Sequence, residues 1–254
     1  MRPNLLVLIL LVATPWTALA CNPARRPRGS TEVNRSCYAA VGGQPVYSTL
    51  VSTKTGATER LIGLTELGTG ARLVEEATIG ESGQLVEAEA TLTAAAGAEG
   101  PGPVTRVVLH PGRSSVEVTA PALHIEWSVP NDLPWVWASL LSTGSPSTPG
   151  PGPIATPLGA WVAFRSAQTG RAVRVLDLGV LQHHTLTADQ LVVPDGAGAT
   201  VVLDDDVIDV EDGAPRRLRL AALDATLELL DARTPSSALV AALRCTALSG
   251  SSAP

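Results

Sequence analysis

Clustered acidic side chains are the first feature of this 254-residue chain that could do chemistry. The run Asp204–Asp206 is followed by Asp209, Glu211 and Asp212. Carboxylate oxygens are ligands that Ca²⁺ prefers, but the glycine-centred spacing of a helix–loop–helix calcium site is absent. A solvated connection between two strands explains the cluster more simply.

The four histidines do not form a metal-binding pattern. His183 and His184 are adjacent, and neighbouring side chains of a strand point to opposite faces, so the two cannot hold one ion without a bend. His110 and His124 are the other two imidazoles, and no zinc-protease spacing occurs. We therefore predict no metal site.

Motifs for covalent or phosphate chemistry are missing as well. The segment Gly80–Gly83 lacks the spacing of a hydrolase nucleophile elbow, and no glycine-rich phosphate loop is followed by lysine. The paired carboxylates Glu75-Glu76 and Glu87/Glu89 lie on predicted strands, where a solvent-facing row is the usual arrangement. We therefore predict a protein that is not an enzyme, with no catalytic residue and no cofactor.

Charge and composition narrow the class further. The net charge is -6, and the sequence has no long basic stripe. Both observations argue against nucleic acid as a partner. The apolar fraction of 45% is enough for a sizeable core. The chain has one Phe, two Tyr and one Met, so small side chains must fill that core.

The N-terminus has the pattern of an export signal. Arg2 precedes the apolar run Leu5–Val12, and Pro15 leads to a small-residue end, Ala18–Ala20, directly before Cys21. Residues 1–20 therefore form a predicted signal peptide, too short for a transmembrane anchor. This end resembles that of bacterial lipoproteins, whose signal closes with a lipobox before a cysteine that becomes acylated.

The lipoprotein resemblance implies that Cys21 is the acylated first residue of the mature chain. The protein would then be anchored to a membrane of the cell envelope and face the periplasm or the cell surface. Plain cleavage before Cys21 is the alternative. Residues 21–43 are predicted to be a polar tether.

The two other cysteines are predicted to form a disulfide. An exported chain with three cysteines has an odd thiol unless one has another role, as acylation gives Cys21. Cys37 and Cys245 then remain, near the two ends of the folded part. Such a bridge would stabilise by several kcal/mol in the chain-entropy model. The alternative is that both thiols are reduced.

Residues 44–248 are predicted to form one β-rich domain in two halves, followed by a tail, 249–254. In the first half, 44–142, short runs of Val, Thr and Leu separated by turn residues indicate an antiparallel meander with a concave face of small side chains. The predicted strands are Val46–Thr53, Thr58–Leu67, Ala71–Ile79, Leu85–Ala94, Thr105–His110, Ser115–Ala120 and Leu123–Val129.

The second half, 158–248, follows a Pro/Gly-rich loop, 143–157. Its predicted strands are Ala160–Arg165, Arg171–Leu178, Thr185–Val193, Ala199–Leu203, Val207–Val210, Arg217–Ala222 and Thr226–Leu230. Thr234 can cap a C-terminal helix that reaches Cys245.

The segment Asn131–Ser142 combines a helical period with large aromatics. An apolar stripe at i, i+3, i+4, i+7 and i+8 predicts a central amphipathic helix over Leu133–Ser142. The stripe consists of Leu133, Val136, Trp137, Leu140 and Leu141. Trp135 lies off this stripe, so we expect it to line a cavity or to pack against a loop. The candidate ligand-lining residues are Trp127, Trp135, Trp137 and Leu140.

This arrangement resembles the half-barrel family of lipid and lipoprotein carriers in the bacterial envelope, and related uncharacterised periplasmic domains. The resemblance covers about Val46–Leu230 and implies non-covalent binding of an acyl chain or another apolar ligand between sheet and helix. A structural or interaction β-sandwich lipoprotein with a filled core is the alternative.

Overall fold

The structure is a computed structural model, and most of its described residues lie in β-strands. It describes residues 31–41, 46–68, 70–95, 102, 104–138, 156–178, 181–195, 198–203, 206–211, 214–220 and 225–230. These contain a 13-stranded antiparallel sheet, a 3-stranded sheet and two α-helices. The prediction of a mainly β fold built on an antiparallel meander is confirmed.

The first eight strands form one half of the large sheet, each pairing with the next. They are β1 Thr31–Val41, β2 Val46–Thr55, β3 Thr58–Leu67, β4 Arg72–Ile79, β5 Leu85–Thr93, β6 Val104–His110, β7 Ser115–Ala120 and β8 Leu123–Ser128. All seven strands predicted in the first half are present, with small shifts at their ends.

The other half of the large sheet comes from the end of the described chain. It consists of β12 Val192–Asp195, β13 Gly198–Leu203, β14 Asp206–Glu211, β15 Ala214–Leu220 and β16 Ala225–Leu229. The order runs from β12 through β16 to β1 and then to β8. The sheet therefore has two edge strands, β12 and β8.

The strand β1 joins the two halves, because it pairs with β2 on one side and with β16 on the other. Its Tyr38 is fully buried and donates a hydrogen bond from its hydroxyl to the carbonyl of Pro215, at 2.8 Å. The prediction of a tether over residues 21–43 is therefore wrong for residues 31–41. The polar residues that suggested a linker belong to a strand placed between two others.

The predicted helix over Leu133–Ser142 is also wrong. Trp135–Ala138 is a strand, β9, which pairs in parallel with β10, Val173–Asp177; β11, Gln182–Leu186, completes the small sheet. Trp135, Val136 and Trp137 are all buried. A strand buried on both faces has no polar alternation, so a short apolar run fits a helical stripe equally well. Residues 139–142 lie outside the described residues.

The helix of this region comes later, where a strand was predicted over Ala160–Arg165. Pro157–Ala167 is α1, which connects the parallel strands β9 and β10, and parallel strands need such a crossover. Thr156 caps it by accepting a hydrogen bond from the Gly159 N–H, at 3.2 Å, and Pro157 occupies the first turn. The Thr-Pro pair was the overlooked sequence signal.

The predicted strand Thr185–Val193 is divided between β11, a short helix α2, Ala188–Leu191, and β12. The remaining second-half strands occur near their predicted positions.

The large sheet curves around α1. The helix packs against β2, β3 and β4 in one half and against β13 and β15 in the other, as well as against β9. We call the surface that faces α1 the inner face. On the outer face, ion pairs connect neighbouring strands, including Arg60 Nε to Glu76 Oε1 at 2.5 Å and Arg106 Nε to Glu89 Oε1 at 2.6 Å. The hydrophobic core contains side chains of the inner face, of α1 and of the small sheet.

Candidate ligand-binding site

Three of the four predicted ligand-lining residues lie in or against the hydrophobic core, and two of them are fully enclosed by it. Trp135 is 1% exposed and donates its indole N–H to the carbonyl of Pro130, at 2.9 Å. Trp137 is buried in the same core, while Trp127 is only partly buried. Leu140 lies outside the described residues. The contact with Pro130 agrees with the expectation that Trp135 packs against a loop. Its separation from Trp137 on a helical stripe is wrong, because the two rings share one buried face of β9.

A buried carboxyl group lies beneath the N-terminus of α1. Glu75 of β4 is 2% exposed and accepts a hydrogen bond from the Trp137 indole N–H, at 3.3 Å. The Thr156 hydroxyl also hydrogen-bonds to it. Burial raises the pKa of Glu75 to about 7, and these two hydrogen bonds oppose the rise. The expectation of a solvent-facing row is therefore wrong for Glu75, while its neighbour Glu76 lies on the outer face.

The space between α1 and the centre of the inner face is filled. Gly63 pairs with Glu75 across β3 and β4, and a Cβ placed on Gly63 would lie 3.2 Å from the Leu158 Cβ. Leu158, Ala160 and Val162 are fully buried. An apolar ligand directly between sheet and helix would have to displace these side chains.

The inner face continues beyond α1 as a set of partly exposed apolar side chains on β7 and β8. Leu123, Ile125 and Trp127 alternate along β8, and Val118 pairs with Ile125 from β7. Trp127 and Val118 still pack against the core, whereas Leu123 is 51% exposed. We call these four residues the apolar strip. Its partly exposed side chains offer apolar surface to a ligand.

A charged cluster lies beside the Trp127 end of the apolar strip. The Trp127 ring stacks on the His183 ring with centroids 5.8 Å apart. His183 Nδ1 lies 3.3 Å from Nη1 of Arg174, whose Nη2 donates to Oδ1 of Asp132 at 2.5 Å. This hydrogen bond lowers the pKa of the Asp132 carboxyl. The cluster joins β8, β10, β11 and the loop before β9.

The sequence signals did not single out this cluster. His183 was considered only as half of a His-His metal pair, and Arg174 and Asp132 are 42 positions apart. The two residues meet because β10 lies beside the loop before β9. A hydrogen bond from the Arg174 N–H to the Pro134 carbonyl, at 2.8 Å, connects these two segments.

The predicted acidic cluster does not form a described site. Asp206 is buried, Glu211 lies 3.6 Å from Arg216, and Asp204, Asp205 and Asp212 are outside the described residues. Within the described ranges, no group of three or more His, Cys, Asp or Glu side chains could hold a metal ion.

Several predicted features fall on residues that the structure does not describe. These are the signal peptide and Cys21, most of the Pro/Gly-rich loop, the C-terminal helix with Cys245, and the tail. Among the described helices, none is long and apolar enough to cross a bilayer.

Comparisons with known proteins give no assignment of family. No protein-family model matches the sequence, and no curated protein does. A solved structure that resembles this chain is a β-barrel-like protein from Brucella abortus with a domain of unknown function, DUF1849. The two share 9% identity over 78% of this chain and 94% of that chain, with a TM-score of 0.36. A likeness at this level assigns no function.

Proposed function

We propose that this chain is an exported, non-catalytic protein of the cell envelope that binds an apolar ligand on the inner face of its curved sheet. Acylated Cys21 would anchor it to the membrane. The observation that carries the proposal is the apolar strip, because it continues the inner face past α1 and remains open to solvent at Leu123.

The apolar strip is a better binding surface than the space between α1 and the sheet. Side chains of α1 already occupy that space, as the contact between Gly63 and Leu158 indicates. A ligand on the apolar strip would cover exposed apolar area without displacing packed side chains. Covering such area contributes roughly 25 cal/mol for each Å² removed from water.

A structural or interaction β domain with a filled core is the second candidate. The tight packing of Leu158, Ala160 and Val162 between helix and sheet favours it. The two candidates differ in whether the purified protein takes up small apolar molecules.

Two measurements on the purified protein separate the candidates. The first is mass spectrometry of lipid extracted from it, and the second is a fluorescence titration with N-phenylnaphthylamine, a neutral apolar probe. We expect extractable lipid and saturable probe binding. Absence of both would leave the filled-core candidate.

A matched pair of variants locates the binding surface. Leu123→Asp places a charge on the apolar strip, and we expect it to weaken probe binding about tenfold or more. Val104→Asp is the control, because Val104 is 46% exposed, close to the 51% of Leu123, but lies on the outer face with Arg106. Equal binding by both variants would place the ligand elsewhere.

A further inference from the structure

The guanidinium group of Arg174 lies between two exposed side chains. The Arg174 side chain is 9% exposed, while that of its partner Asp132 is 66% exposed. His183, on the other side of the guanidinium, is also exposed. A largely buried positive charge is therefore separated from solvent by groups that can move.

The hydrogen bonding of Arg174 is incomplete. Asp132 binds Nη2 through a single oxygen, and the adjacent Nε has no hydrogen-bond partner within the described part of the chain. Nε and Nη2 together form the side of a guanidinium that donates two parallel hydrogen bonds to a carboxylate or phosphate. Asp132 uses half of this donor pair.

The apolar strip leads directly to this charged group. Leu123, Ile125 and Trp127 lie in line on β8, and the distance from the first to the last is about 13 Å at the rise of a strand. Trp127 then stacks on His183, which lies next to Arg174. An extended chain on the strip would therefore end beside a cation.

We propose that the ligand of the apolar strip is an anionic amphiphile, whose chain lies along β8 and whose carboxylate or phosphate group binds Arg174 in place of Asp132. This inference rests on the proposed function and adds the chemical class of the ligand. A bidentate acceptor would satisfy Nε as well as Nη2. Asp132 would then turn to solvent, where an ionised carboxylate is well hydrated.

Three probes with the same alkyl chain test the inference by calorimetric titration. Dodecanoate and dodecyl phosphate carry the two head groups, and methyl dodecanoate is the neutral match. We expect an anionic probe to bind about tenfold more tightly than the ester, as a charge-assisted hydrogen bond allows. The tighter of the two anions identifies the natural head group as carboxylate or phosphate.

The outcomes distinguish this inference from the proposed function. Equal binding of the anions and the ester overturns the anionic head group while the apolar strip remains a binding surface. Failure of all three probes to bind overturns the proposed function itself, and this inference with it.

Variants of the charged cluster provide the second test. Arg174→Gln should weaken dodecanoate binding about tenfold and leave methyl dodecanoate unchanged. Because Arg174 is largely buried and this variant can fail to fold, Asp132→Asn is measured as well. Asp132→Asn removes the competing carboxylate from an exposed position, so we expect tighter dodecanoate binding. Unchanged or weaker dodecanoate binding by Asp132→Asn would contradict the exchange.

A histidine pair controls for general effects on β8 and β11. His183→Phe keeps an aromatic ring on Trp127 but removes the nitrogen beside Arg174, and we expect it to bind dodecanoate less tightly. His124 is also exposed, but it lies on the opposite face of β8 beside Thr119. His124→Phe should therefore bind dodecanoate like the wild type. Equal affinities in the two variants would exclude His183 from the head-group site.

Discussion

The indole Nε1 of Trp137 lies 3.3 Å from Oε1 of Glu75 and donates a hydrogen bond to a carboxyl group that is almost completely buried. Trp137 belongs to the small sheet and Glu75 to the large one. The same carboxyl interacts with Thr156 at the start of α1. One carboxyl group thus connects the two sheets and the helix around which the large sheet curves.

The stability of the protein should depend on the ionisation of Glu75. Its pKa is raised from 4.5 to about 7 in the folded state, so folding disfavours the charged form. The stabilising effect of a neutral Glu75 is complete below pH 4.5 and is lost as the pH rises towards 7. The loss amounts to about 3 kcal/mol at most. Urea unfolding at a series of pH values measures it.

Glu75→Gln should remove this pH dependence, because glutamine is neutral throughout and can still accept the Trp137 hydrogen bond. Glu76→Gln is the control, since Glu76 lies on the outer face with Arg60 and should leave the slope intact. An unchanged slope in Glu75→Gln would show that other groups cause it.

Trp135→Ala and Trp137→Ala should each lower the free energy of unfolding by about 3–5 kcal/mol, as loss of a buried large aromatic does. The two rings lie two positions apart on β9, so both point to the same face, and that face is buried. In a helix, Trp135 would lie off the apolar stripe, and Trp135→Ala would lower the free energy of unfolding less than Trp137→Ala. Chemical denaturation of the two variants decides, and a small effect for Trp135→Ala alone would contradict the strand.

Gly63→Val should destabilise the protein by about 1–3 kcal/mol, the usual cost of overpacking. A Cβ at this position would already lie 3.2 Å from the Leu158 Cβ and 3.3 Å from its Cδ1. Gly112→Ala is the comparison, since nothing lies within 4 Å of a Cβ there. Thermal unfolding measures both, and equal melting temperatures would mean that α1 does not press on β3.

Cys37 and Cys245 should form a disulfide in the exported protein. The Cys37 carbonyl accepts a hydrogen bond from the N–H of Leu230, at 2.8 Å. Cys37 therefore lies beside Leu230, the last residue that the structure describes. Cys245 is 15 positions after Leu230 in the sequence and lies outside the described residues. Peptide mapping without reductant should recover the linked pair, and separate alkylated peptides would exclude it.

Cys21 should be acylated at the mature N-terminus, because Ala18–Ala20 precedes it and acylation accounts for the odd cysteine. Intact-mass analysis of the membrane fraction measures this. A soluble mature protein with an unmodified Cys21 would contradict the lipoprotein prediction, but it would leave the binding proposal open to its own tests.

The sequence by itself determined the elements that β-prone runs and turn residues mark within a short stretch of chain. The strands β2 to β8 follow from β-prone runs separated by turns, for example Gly56-Ala57 between β2 and β3, where Gly56 adopts a φ of +60°. These strands pair with their chain neighbours, so their alternation and turns also predict their order. The outer position of Glu76 and Glu89 follows from the same alternation.

Only the tertiary structure decided the state of segments that are buried on more than one side. Trp135–Ala138 is a strand because β10 pairs with it. The start of α1 has a local signal in Thr156 and Pro157, but its role as the connection between parallel strands depends on that pairing. Glu75 is buried because α1 and Trp137 cover the face it occupies. Arg174, Asp132 and His183 meet through contacts between segments distant in sequence. The spacing of apolar residues indicates how many faces of a segment are buried. Which element covers each face depends on the fold of the whole chain.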